Sequence, residues 1–441
     1  MSKPIVAIVG RPNVGKSTLF NRLCGARISI VEDTPGVTRD RIYGDVEWLR
    51  HKFTLIDTGG LEPESDDFFL KEILKQAEVA IEMADVIVFV VDTKTGATDT
   101  DTEVANILRR AKKPIVLAAN KVDTMAKYAM DAYEFYSLGL GDPVVVSSGQ
   151  ALGLGDLLDE IVKHFPQDAP EEEDEDIIKV AVVGKPNVGK SSLINRILGE
   201  ERVIVSDIPG TTRDAVDTYF EKDGQKFMFI DTAGMRRKSR VRGDIERFSV
   251  MRAVAAVERA DVCVILIDAS EGFSEQDTKI AGIAHESGKA AIFAVNKWDL
   301  IEKDDKTMNK YIKEIEHEFV FMTYAPSLFI SVLTGQRVNN LFAMIHSVWQ
   351  NASMRVSTGL LNDVLIEAIA VNEPPGDRGR QLKVYYATQV SVRPPTFVLF
   401  VNDSALMHFS YKRYLENKLR EAFGFKGTPV RFVVRNKGGR D

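Results

Sequence analysis

The chain contains 441 residues, of which 44% are hydrophobic and 27% are charged, and its formal net charge at pH 7 is −7. This length predicts about three domains of roughly 150 residues each, and the apolar fraction is sufficient for ordinary buried cores. No apolar run approaches the roughly 18 residues that cross a bilayer, which argues against a protein built on membrane-spanning helices.

The N-terminus and the cysteines predict a cytoplasmic protein. The opening residues, MSKPIVAIVGRPN, pass directly into a strand and a loop and lack the pattern of a signal peptide. The two cysteines, Cys24 and Cys263, lie in apolar periodic segments. They could form one disulfide, but we expect two buried thiols in a reducing compartment.

The charge is unevenly distributed along the chain. Residues 352–441 contain fourteen Lys or Arg and eight Asp or Glu, a net charge of +6, so the remaining residues carry −13. An acidic body with a basic C-terminal end predicts a polyanionic partner for that end. The alternative is an ordinary solvated surface.

The first four fifths of the chain are a tandem repeat. A shift of 174 residues aligns about fifty positions without a gap and places Asp57 on Asp231. We therefore predict two copies of one domain, over residues 1–166 and 178–351. The acidic segment between them, residues 167–177, repels itself and cannot be buried, so we interpret it as an extended linker.

Each copy alternates short apolar runs with amphipathic helical stretches. In the first copy the runs are IVAIVG, FTLIDT, VIVFVVD, PIVLAAN and PVVVSS, and in the second they are VAVVG, FMFIDT, VCVILIDA, AIFAVN and LFISV. Their β-branched composition indicates buried parallel strands. Strands that alternate with helices predict a doubly wound α/β sheet, with its site at the carboxyl ends of the strands.

A phosphate-binding motif, G-x-x-x-x-G-K-[ST], follows the first predicted strand of each copy and opens a helix, which is the context this motif requires. The backbone N–H groups surround the phosphates, the lysine reaches the β- and γ-phosphates, and the serine hydroxyl binds Mg²⁺. The predicted residues are Gly10, Arg11, Pro12, Asn13, Val14, Gly15, Lys16 and Ser17, and Gly184, Lys185, Pro186, Asn187, Val188, Gly189, Lys190 and Ser191.

Two further segments of each copy contain candidate contacts to Mg²⁺ and to the γ-phosphate. Thr38 and Thr212 lie in the polar loops DTPGVTRD and DIPGTTRD, where each is a predicted Mg²⁺ ligand, with a simple turn residue as the alternative. An aspartate that ends a strand, Asp57 or Asp231, can orient Mg²⁺ through its water shell. The segments that begin with these aspartates are Asp57, Thr58, Gly59, Gly60 and Leu61, and Asp231, Thr232, Ala233, Gly234 and Met235.

The motifs NKVD and NKWD predict the base. Their aspartate can accept hydrogen bonds from guanine N1–H and the 2-amino group, whereas adenine has neither donor, so discrimination on the order of 10⁴ is expected. The lysine stem can cover the base, and a backbone N–H in a later loop is expected to bind the guanine oxygen. The predicted residues are Asn120, Lys121, Asp123, Ser147 and Ser148, and Asn296, Lys297, Asp299, Ser331 and Val332.

After Met235 the second copy is strongly basic, where the first copy has the acidic segment LEPESDD. This basic segment is either a solvated loop or a nucleotide-gated contact with RNA or with the third domain. Its candidate RNA-binding residues are Arg236, Arg237, Lys238 and Arg240.

Residues 352–441 predict a third, small α+β domain. A helix (TGLLNDVLIEAIA), two strands (QLKVYYATQV and TFVLFVND), a basic helix (SYKRYLENKLREAF) and a closing strand (TPVRFVVRN) follow one another. The GDRG segment precedes the first strand and does not join two helices, so we predict no gripping of single strands through a G-x-x-G loop. Candidate contacts to RNA phosphates are Lys412, Arg413, Arg431 and Arg435, some of which could instead face the acidic domains.

The doubled PNVGKS motif with its downstream TRD resembles the translation-factor-like branch of regulatory GTPases. Two such domains before a small basic domain resemble the Der (EngA) family of bacterial ribosome-assembly GTPases, over essentially all 441 residues. The resemblance implies two tandem P-loop GTPase domains followed by a KH-like domain. It also implies GTP hydrolysis and a role in assembly and maturation of the large (50S) ribosomal subunit, in which nucleotide-dependent domain rearrangement controls ribosome binding. We expect a monomer.

The residues after the DTGG and DTAG glycines, Leu61 and Met235, cannot orient a water by hydrogen bonding. The resemblance implies that K⁺ supplies charge at the β–γ bridge instead, with Asn13 and Asn187 among its ligands. The alternative is that each asparagine bonds its own loop. Two other functions also stay open: a nucleotide-gated signalling or scaffold protein, and a P-loop kinase or ATPase, which both NKxD motifs disfavour.

Overall fold

The computed structural model describes most of both repeats and of the C-terminal domain. The described residues are 3–25, 43–58, 66–111, 113–122, 132–165, 177–199, 204–205, 217–230, 245–374, 376–377 and 380–437. The chain divides into two compact units, residues 1–173 with 247–255, and residues 174–246 with 256–441.

The first unit is built on one mixed sheet. Its strands are β1 (Ile5–Val9), β2 (Tyr43–Trp48), β3 (His51–Asp57), β4 (Val86–Asp92), β5 (Ile115–Asn120) and β6 (Val144–Val145). Their order is β2-β3-β1-β4-β5-β6, and all neighbours are parallel except the antiparallel pair β2 and β3. The α-helices are α1 (Lys16–Cys24), α2 (Asp66–Met83), α3 (Asp99–Arg110) and α4 (Leu154–Lys163), and a 3₁₀ helix spans Tyr133–Leu138.

The central strands of this sheet are buried on both faces. All seven residues of β4 are buried, and alternate members, such as Val88, join one apolar cluster with Leu19 of α1 and Ile161 of α4. Their neighbours, such as Phe89, point to the opposite face and are also fully buried. Because side chains alternate across a strand, a run without polar residues must be covered on both sides. This is the doubly wound arrangement predicted from the sequence.

The second repeat forms a similar seven-stranded sheet. Its strands are β7 (Ile177–Val183), β8 (Ile204–Val205), β9 (Thr218–Lys222), β10 (Gln225–Phe229), β11 (Val262–Asp268), β12 (Ala290–Asn296) and β13 (Ser327–Phe329). The order is β13-β12-β11-β7-β10-β9-β8, and β9 is antiparallel to both of its neighbours. The α-helices are α5 (Lys190–Leu198), α6 (Ile245–Arg259), α7 (Glu275–Glu286), α8 (Thr307–Glu318) and α9 (Val338–Ser353), with 3₁₀ helices at Trp298–Leu300 and Val320–Met322.

The C-terminal domain packs two helices on one face of a three-stranded sheet. Helix α10 (Thr358–Val371) precedes the short hairpin β14 (Gly376–Asp377) and β15 (Arg380–Gln381), then β16 (Val384–Ser391), β17 (Thr396–Val401), a 3₁₀ helix (Ser404–Leu406), α11 (Phe409–Phe423) and β18 (Arg431–Asn436). Strand β17 is central, antiparallel to β16 and parallel to β18. The predicted α-β-β-α-β order is confirmed, with the hairpin as an addition.

Several details differ from the sequence-based expectations. Strand β2, at the edge of its sheet, and β9, beside the two-residue edge strand β8, carry no continuous apolar run, and they were not predicted. Strand β7 begins at Ile177, the last residue assigned to the linker, and α9 continues to Ser353, two residues beyond the expected domain boundary. Cys24 and Cys263 are not joined by a disulfide, as expected, but only Cys263 is buried, whereas Cys24 is half-buried. Within the described ranges, no helix combines the length and apolarity needed to cross a membrane.

Candidate functional site

The P-loop glycines are required by close backbone approaches. A Cβ atom on Gly10 would lie 2.4 Å from the carbonyl oxygen of Val90, and one on Gly15 would lie 2.4 Å from Asn120 Nδ2. Gly15 also has a φ of 96°, in the left-handed region. The second loop repeats this geometry, since Cβ atoms on Gly184 and Gly189 would again lie 2.4 Å from Leu266 O and Asn296 Nδ2. Both loops therefore depend on glycine for their shape.

The side chain of each P-loop lysine donates hydrogen bonds to carbonyl oxygens of its own loop. Lys16 Nζ donates to the carbonyl oxygens of Gly10 at 2.6 Å and Arg11 at 2.7 Å. Lys190 Nζ donates to those of Gly184 and Lys185, both at 2.7 Å. Burial lowers the pKa of each lysine to about 8, because neutral acceptors do not fully replace the lost hydration. Burial thus disfavours the charged form of each lysine, and a bound phosphate chain would stabilise it.

The asparagine of each NKxD motif joins the P-loop to the base-binding loop. Asn120 Nδ2 donates to Val14 O at 2.8 Å, and its Oδ1 accepts from Ser148 N at 3.0 Å. In the second repeat, Asn296 Nδ2 donates to Val188 O at 2.8 Å and its Oδ1 accepts from Val332 N at 3.0 Å. Both asparagines are buried, so these bonds are fully shielded from water. These bonds fix the P-loop and the base-binding loop relative to each other, and we call the two joined loops the frame of the site.

The N–H groups predicted to bind the guanine oxygen are engaged within the protein. Ser148 N and Val332 N donate to the two asparagines, while Ser147 N donates to Leu152 O at 2.9 Å and Ser331 N to Gln336 O at 3.1 Å. In this arrangement the four N–H groups hold the two loops to their surroundings, and their contact with the guanine oxygen stays a prediction. Their contribution is to shape the loop.

The lysines of the NKxD motifs are held by an aspartate that the sequence analysis does not assign to the site. Lys121 Nζ lies 2.8 Å from Asp92 Oδ2 and also donates to Asn13 O. In the second repeat Lys297 Nζ pairs with Asp268, which is 1% exposed. Burial raises the pKa of Asp268, but hydrogen bonds from Lys297 and Ser270 outweigh it and leave the pKa below its usual value. The sequence does contain a signal for this role, because Asp92 and Asp268 are the polar residues that end a buried apolar strand in each copy.

Asp299 has the environment expected of a base-binding carboxylate. It lies in the 3₁₀ helix after β12, and its Oδ1 atom is buried with no hydrogen-bond partner among the described residues. An unpaired buried carboxylate oxygen is costly, and a donor pair such as guanine N1–H and the 2-amino group would satisfy it. The matching Asp123 lies outside the described residues.

The P-loop asparagines have a backbone role of their own. Asn13 has a φ of 62° and Asn187 a φ of 64°, a left-handed conformation that asparagine tolerates better than most residues. Both side chains are exposed. Among the described residues neither carboxamide makes a hydrogen bond, so the alternative of a bond to their own loop finds no support there.

The described residues at the first site include suitable oxygen ligands for Mg²⁺. Ser17 is exposed near the start of α1, and Asp57 ends β3 beside Ile8, which lies two residues before the first P-loop glycine, Gly10. The negative charge of Asp57 opposes the burial that lowers the pKa of Lys16. A hydroxyl and a carboxylate at the phosphate end of the site are the oxygen ligands that Mg²⁺ takes. Bound there, the ion would neutralise charge between the β- and γ-phosphates.

Several predicted residues lie outside the described part of the chain. They are Thr38, Gly59, Gly60, Leu61, Asp123, Thr212, Asp231, Thr232, Ala233, Gly234, Met235, Arg236, Arg237, Lys238 and Arg240. Of the remaining predicted positions, Thr58 is buried, and its hydroxyl donates to Ile8 O at 2.6 Å. Pro12, Pro186 and Ser191 lie in or directly after the P-loops.

The basic residues of the third domain divide into two groups. Arg413 on α11 and Arg435 on β18 are exposed, and Lys412 is half-buried. Arg431 Nη2 instead donates to the carbonyl oxygen of Glu286, at the end of α7. One of the four candidate RNA contacts is therefore engaged with the second repeat, as the sequence analysis allowed.

Both repeats and the C-terminal domain match known protein families. A family described as 50S ribosome-binding GTPase matches residues 5–121 and 179–297, and one described as KH-domain-like of EngA bacterial GTPase enzymes, C-terminal, matches residues 355–435. GTPase Der of Acetivibrio thermocellus is 62% identical over 437 residues, 99% of each chain. GTPase Der of Alkaliphilus metalliredigens is 60% identical over 442 residues, 100% of each chain. Among solved structures, Era of Aquifex aeolicus bound to GDP and AlF₄⁻ is 22% identical, covers 59% of this chain and 93% of that chain, and has a TM-score of 0.31.

These matches confirm the predicted tandem GTPase domains and the KH-like domain. They also confirm the predicted enzyme class, a protein that binds and hydrolyses GTP.

Proposed function

The chain belongs to the Der (EngA) family of GTPases, and from that premise we propose that it acts in assembly and maturation of the large (50S) ribosomal subunit. Nucleotide-dependent domain rearrangement controls its binding to the subunit. The observation that carries the proposal is the presence of two similarly built P-loops, each with its lysine bound to two loop carbonyls, ahead of a basic domain. We assign this role to a monomer in the cytoplasm.

Two nucleotide sites on one chain permit four combinations of GTP and GDP. If the arrangement of the domains depends on both sites, only one combination need expose the ribosome-binding surface. GTP binding then selects that arrangement, and hydrolysis releases the particle. The duplication thereby makes binding to the ribosomal subunit depend on the nucleotide at both sites.

We propose that the basic residues contact ribosomal RNA through its phosphates. Lys412, Arg413 and Arg435 lie on a domain whose sequence carries a net charge of +6. Arg431 contributes through the surface that it shares with Glu286. In the second repeat, Arg236, Arg237, Lys238 and Arg240 follow the DTAG motif, where a change of nucleotide can alter their exposure. Contacts of this kind weaken as salt is raised.

Sedimentation with ribosomal particles tests this function. The full chain is mixed with 50S subunits and their precursors in a non-hydrolysable GTP analogue, in GDP and without nucleotide. We expect cosedimentation in one nucleotide state, and substitution of Arg413 and Arg435 by Gln should weaken it while leaving GTP binding unchanged. Binding to a protein target with no affinity for particles in any state would favour the scaffold alternative, and ATP binding equal to GTP binding would favour the kinase or ATPase alternative.

We also propose that K⁺ assists hydrolysis through Asn13 and Asn187. Both carboxamides are exposed in the P-loops, and hydrophobic residues, Leu61 and Met235, stand where a water-orienting glutamine would be required. Hydrolysis should be much faster in K⁺ than in Na⁺ at equal ionic strength. Asn13→Gly separates the two roles of the residue, because glycine accepts the left-handed φ but has no ligand atom. The variant should bind GTP and lose K⁺ stimulation at that site, and retained stimulation would exclude the carboxamide as a ligand.

A further inference from the structure

The second residue of each P-loop reaches a buried aspartate about ninety residues downstream. Arg11 Nε lies 3.2 and 3.1 Å from the two carboxylate oxygens of Asp101, and its guanidinium also donates to Thr95. In the second repeat, Lys185 Nζ lies 3.5 Å from Asp277 and 3.1 Å from Glu271. Asp101 and Asp277 are each 1% exposed, so these pairs are shielded from solvent and from salt.

The two aspartates are themselves held rigidly. Asp101 accepts from the backbone N–H and hydroxyl of Thr98 at 3.1 and 2.7 Å and completes the capping box of α3. Asp277 accepts from Ser274 at 3.0 and 2.6 Å and completes the capping box of α7. Each carboxylate is therefore fixed to the first turn of a helix, and a side chain bound to it is anchored to the body of the domain.

The anchored residue carries the carbonyl that positions the phosphate-binding lysine. Arg11 O accepts from Lys16 Nζ, and Lys185 O accepts from Lys190 Nζ, both at 2.7 Å. Each P-loop also contains left-handed residues, at φ 62° for Asn13 and 64° for Asn187. A loop with such conformations keeps its shape only when its surroundings hold it.

We propose that Arg11 and Lys185 are positioning residues that preorganise the two P-loops and set the lifetime of the bound nucleotide. Without the ion pair, the ordering of the loop must be supplied by the nucleotide at each binding event, so binding weakens and release accelerates. This inference rests on guanine-nucleotide binding by both domains and is independent of the ribosomal role.

The two ion pairs are unequal. Arg11 shares its single Nε–H between both oxygens of Asp101 and donates to Thr95 through Nη2. Lys185 instead divides its contacts between Glu271 and Oδ2 of Asp277, and the buried Oδ1 of Asp277 has no hydrogen-bond partner in the described part of the chain. A guanidinium can satisfy two carboxylate oxygens where an ammonium is a point charge. The first site therefore has a complete anchor and the second an incomplete one, and Lys185→Arg should complete it.

Release kinetics test the proposal if the two sites are read separately. Asp299→Asn reverses the hydrogen-bonding pattern toward the base, so that site 2 takes xanthosine nucleotides while site 1 keeps guanine nucleotides. In this full-length background, the release of fluorescent GDP reports on site 1 and the release of fluorescent xanthosine diphosphate on site 2. Each site then serves as the internal control for the other.

The proposal predicts opposite effects of the exchanged residues. Arg11→Lys should accelerate GDP release about fivefold and Arg11→Ala more strongly, with xanthosine diphosphate release unchanged. Lys185→Arg should slow xanthosine diphosphate release about threefold and leave GDP release unchanged. A merely structural pair would change the melting temperature without this site-specific pattern.

Three results would overturn the proposal. They are release rates that are unchanged in Arg11→Lys and Arg11→Ala, equal changes at both sites, and faster release in Lys185→Arg. If Arg11→Ala does not fold, Arg11→Lys and Lys185→Arg still decide the question, because both retain the charge.

Discussion

The two nucleotide sites have the same frame but different supports. In both, the P-loop lysine donates to two loop carbonyls, and the NKxD asparagine joins two loops with bonds of 2.8 and 3.0 Å. The supporting contacts differ. At the first site Arg11 Nε is shared by both oxygens of Asp101, and Lys121 contacts Asp92 and Asn13 O. At the second site Lys185 contacts Glu271 and one oxygen of Asp277, and Lys297 contacts Asp268. The two sites therefore share the residues that fix the shape of the P-loop and differ in the ion pairs that hold the loop in place.

This difference shows which features a duplicated site can vary. A side chain on Gly15 or Gly189 would meet an asparagine at 2.4 Å, so neither glycine can be replaced without moving the frame. The residue after the first P-loop glycine, Arg11 in one copy and Lys185 in the other, can vary without moving the loop and changes only how firmly the loop is held. We therefore expect the two sites to bind the same nucleotide with different kinetics.

The largest predicted effect separates the sites by base. Asp299→Asn should lower the guanine preference of site 2 on the order of 10⁴-fold, because it removes the carboxylate that we predict accepts both guanine donors, one oxygen of which is buried without a partner among the described residues. Titration should then find one guanine site and one xanthosine site per chain. Asp305→Asn, which changes an exposed aspartate nearby, is the control and should leave two guanine sites. Two guanine sites in Asp299→Asn would refute the assignment of the base-binding carboxylate.

The next effect tests whether the frames are equivalent. Gly15→Ala and Gly189→Ala impose a left-handed alanine, which costs roughly 1–2 kcal/mol, and displace an asparagine bond worth about 1–3 kcal/mol. We expect each to weaken binding at its own site by about 3 kcal/mol, on the order of 100-fold. Gly149→Ala is the matched control, because a Cβ there meets nothing within 4 Å. Equilibrium titration with guanine nucleotides measures all three, and unequal losses at the two sites would contradict a common frame.

The third effect is the pH dependence of binding. Burial lowers the pKa of Lys16 and Lys190 to about 8, and a bound phosphate favours the ammonium and raises that pKa. Binding must then take up a proton, so affinity should be constant well below pH 8 and fall by up to about tenfold per pH unit above it. Calorimetry at pH 8 in buffers of different ionisation enthalpy measures the uptake. Heats that do not depend on the buffer would show that the lysines are already charged in the free protein.

The buried strands, both P-loops and the NKxD residues could be predicted from the sequence because each depends on residues close together in the chain. The partners that hold them could not. Asp101 and Asp277 are separated from Arg11 and Lys185 by about ninety residues, and each also reads as an ordinary helix-capping residue. The use of the Ser148 N–H by Asn120 likewise appears only when two loops meet. Through-space pairs of this kind follow from the fold and not from a local pattern.

The smallest predicted effect concerns the aspartates that hold the NKxD lysines. Asp268→Asn should weaken nucleotide binding at site 2 about tenfold, and Asp92→Asn at site 1 about threefold. The difference arises because Lys121 keeps a second acceptor, Asn13 O, whereas Asp268 is the only contact of Lys297 Nζ among the described residues. Affinities for guanine and xanthosine nucleotides in the Asp299→Asn background measure the two losses separately. Asp45→Asn removes an exposed pair with Lys3 away from the site and should change neither affinity. Equal losses of affinity, or a larger loss in Asp92→Asn, would show that Asn13 O does not help to hold Lys121. The lysines of the two NKxD motifs would then be held equally firmly.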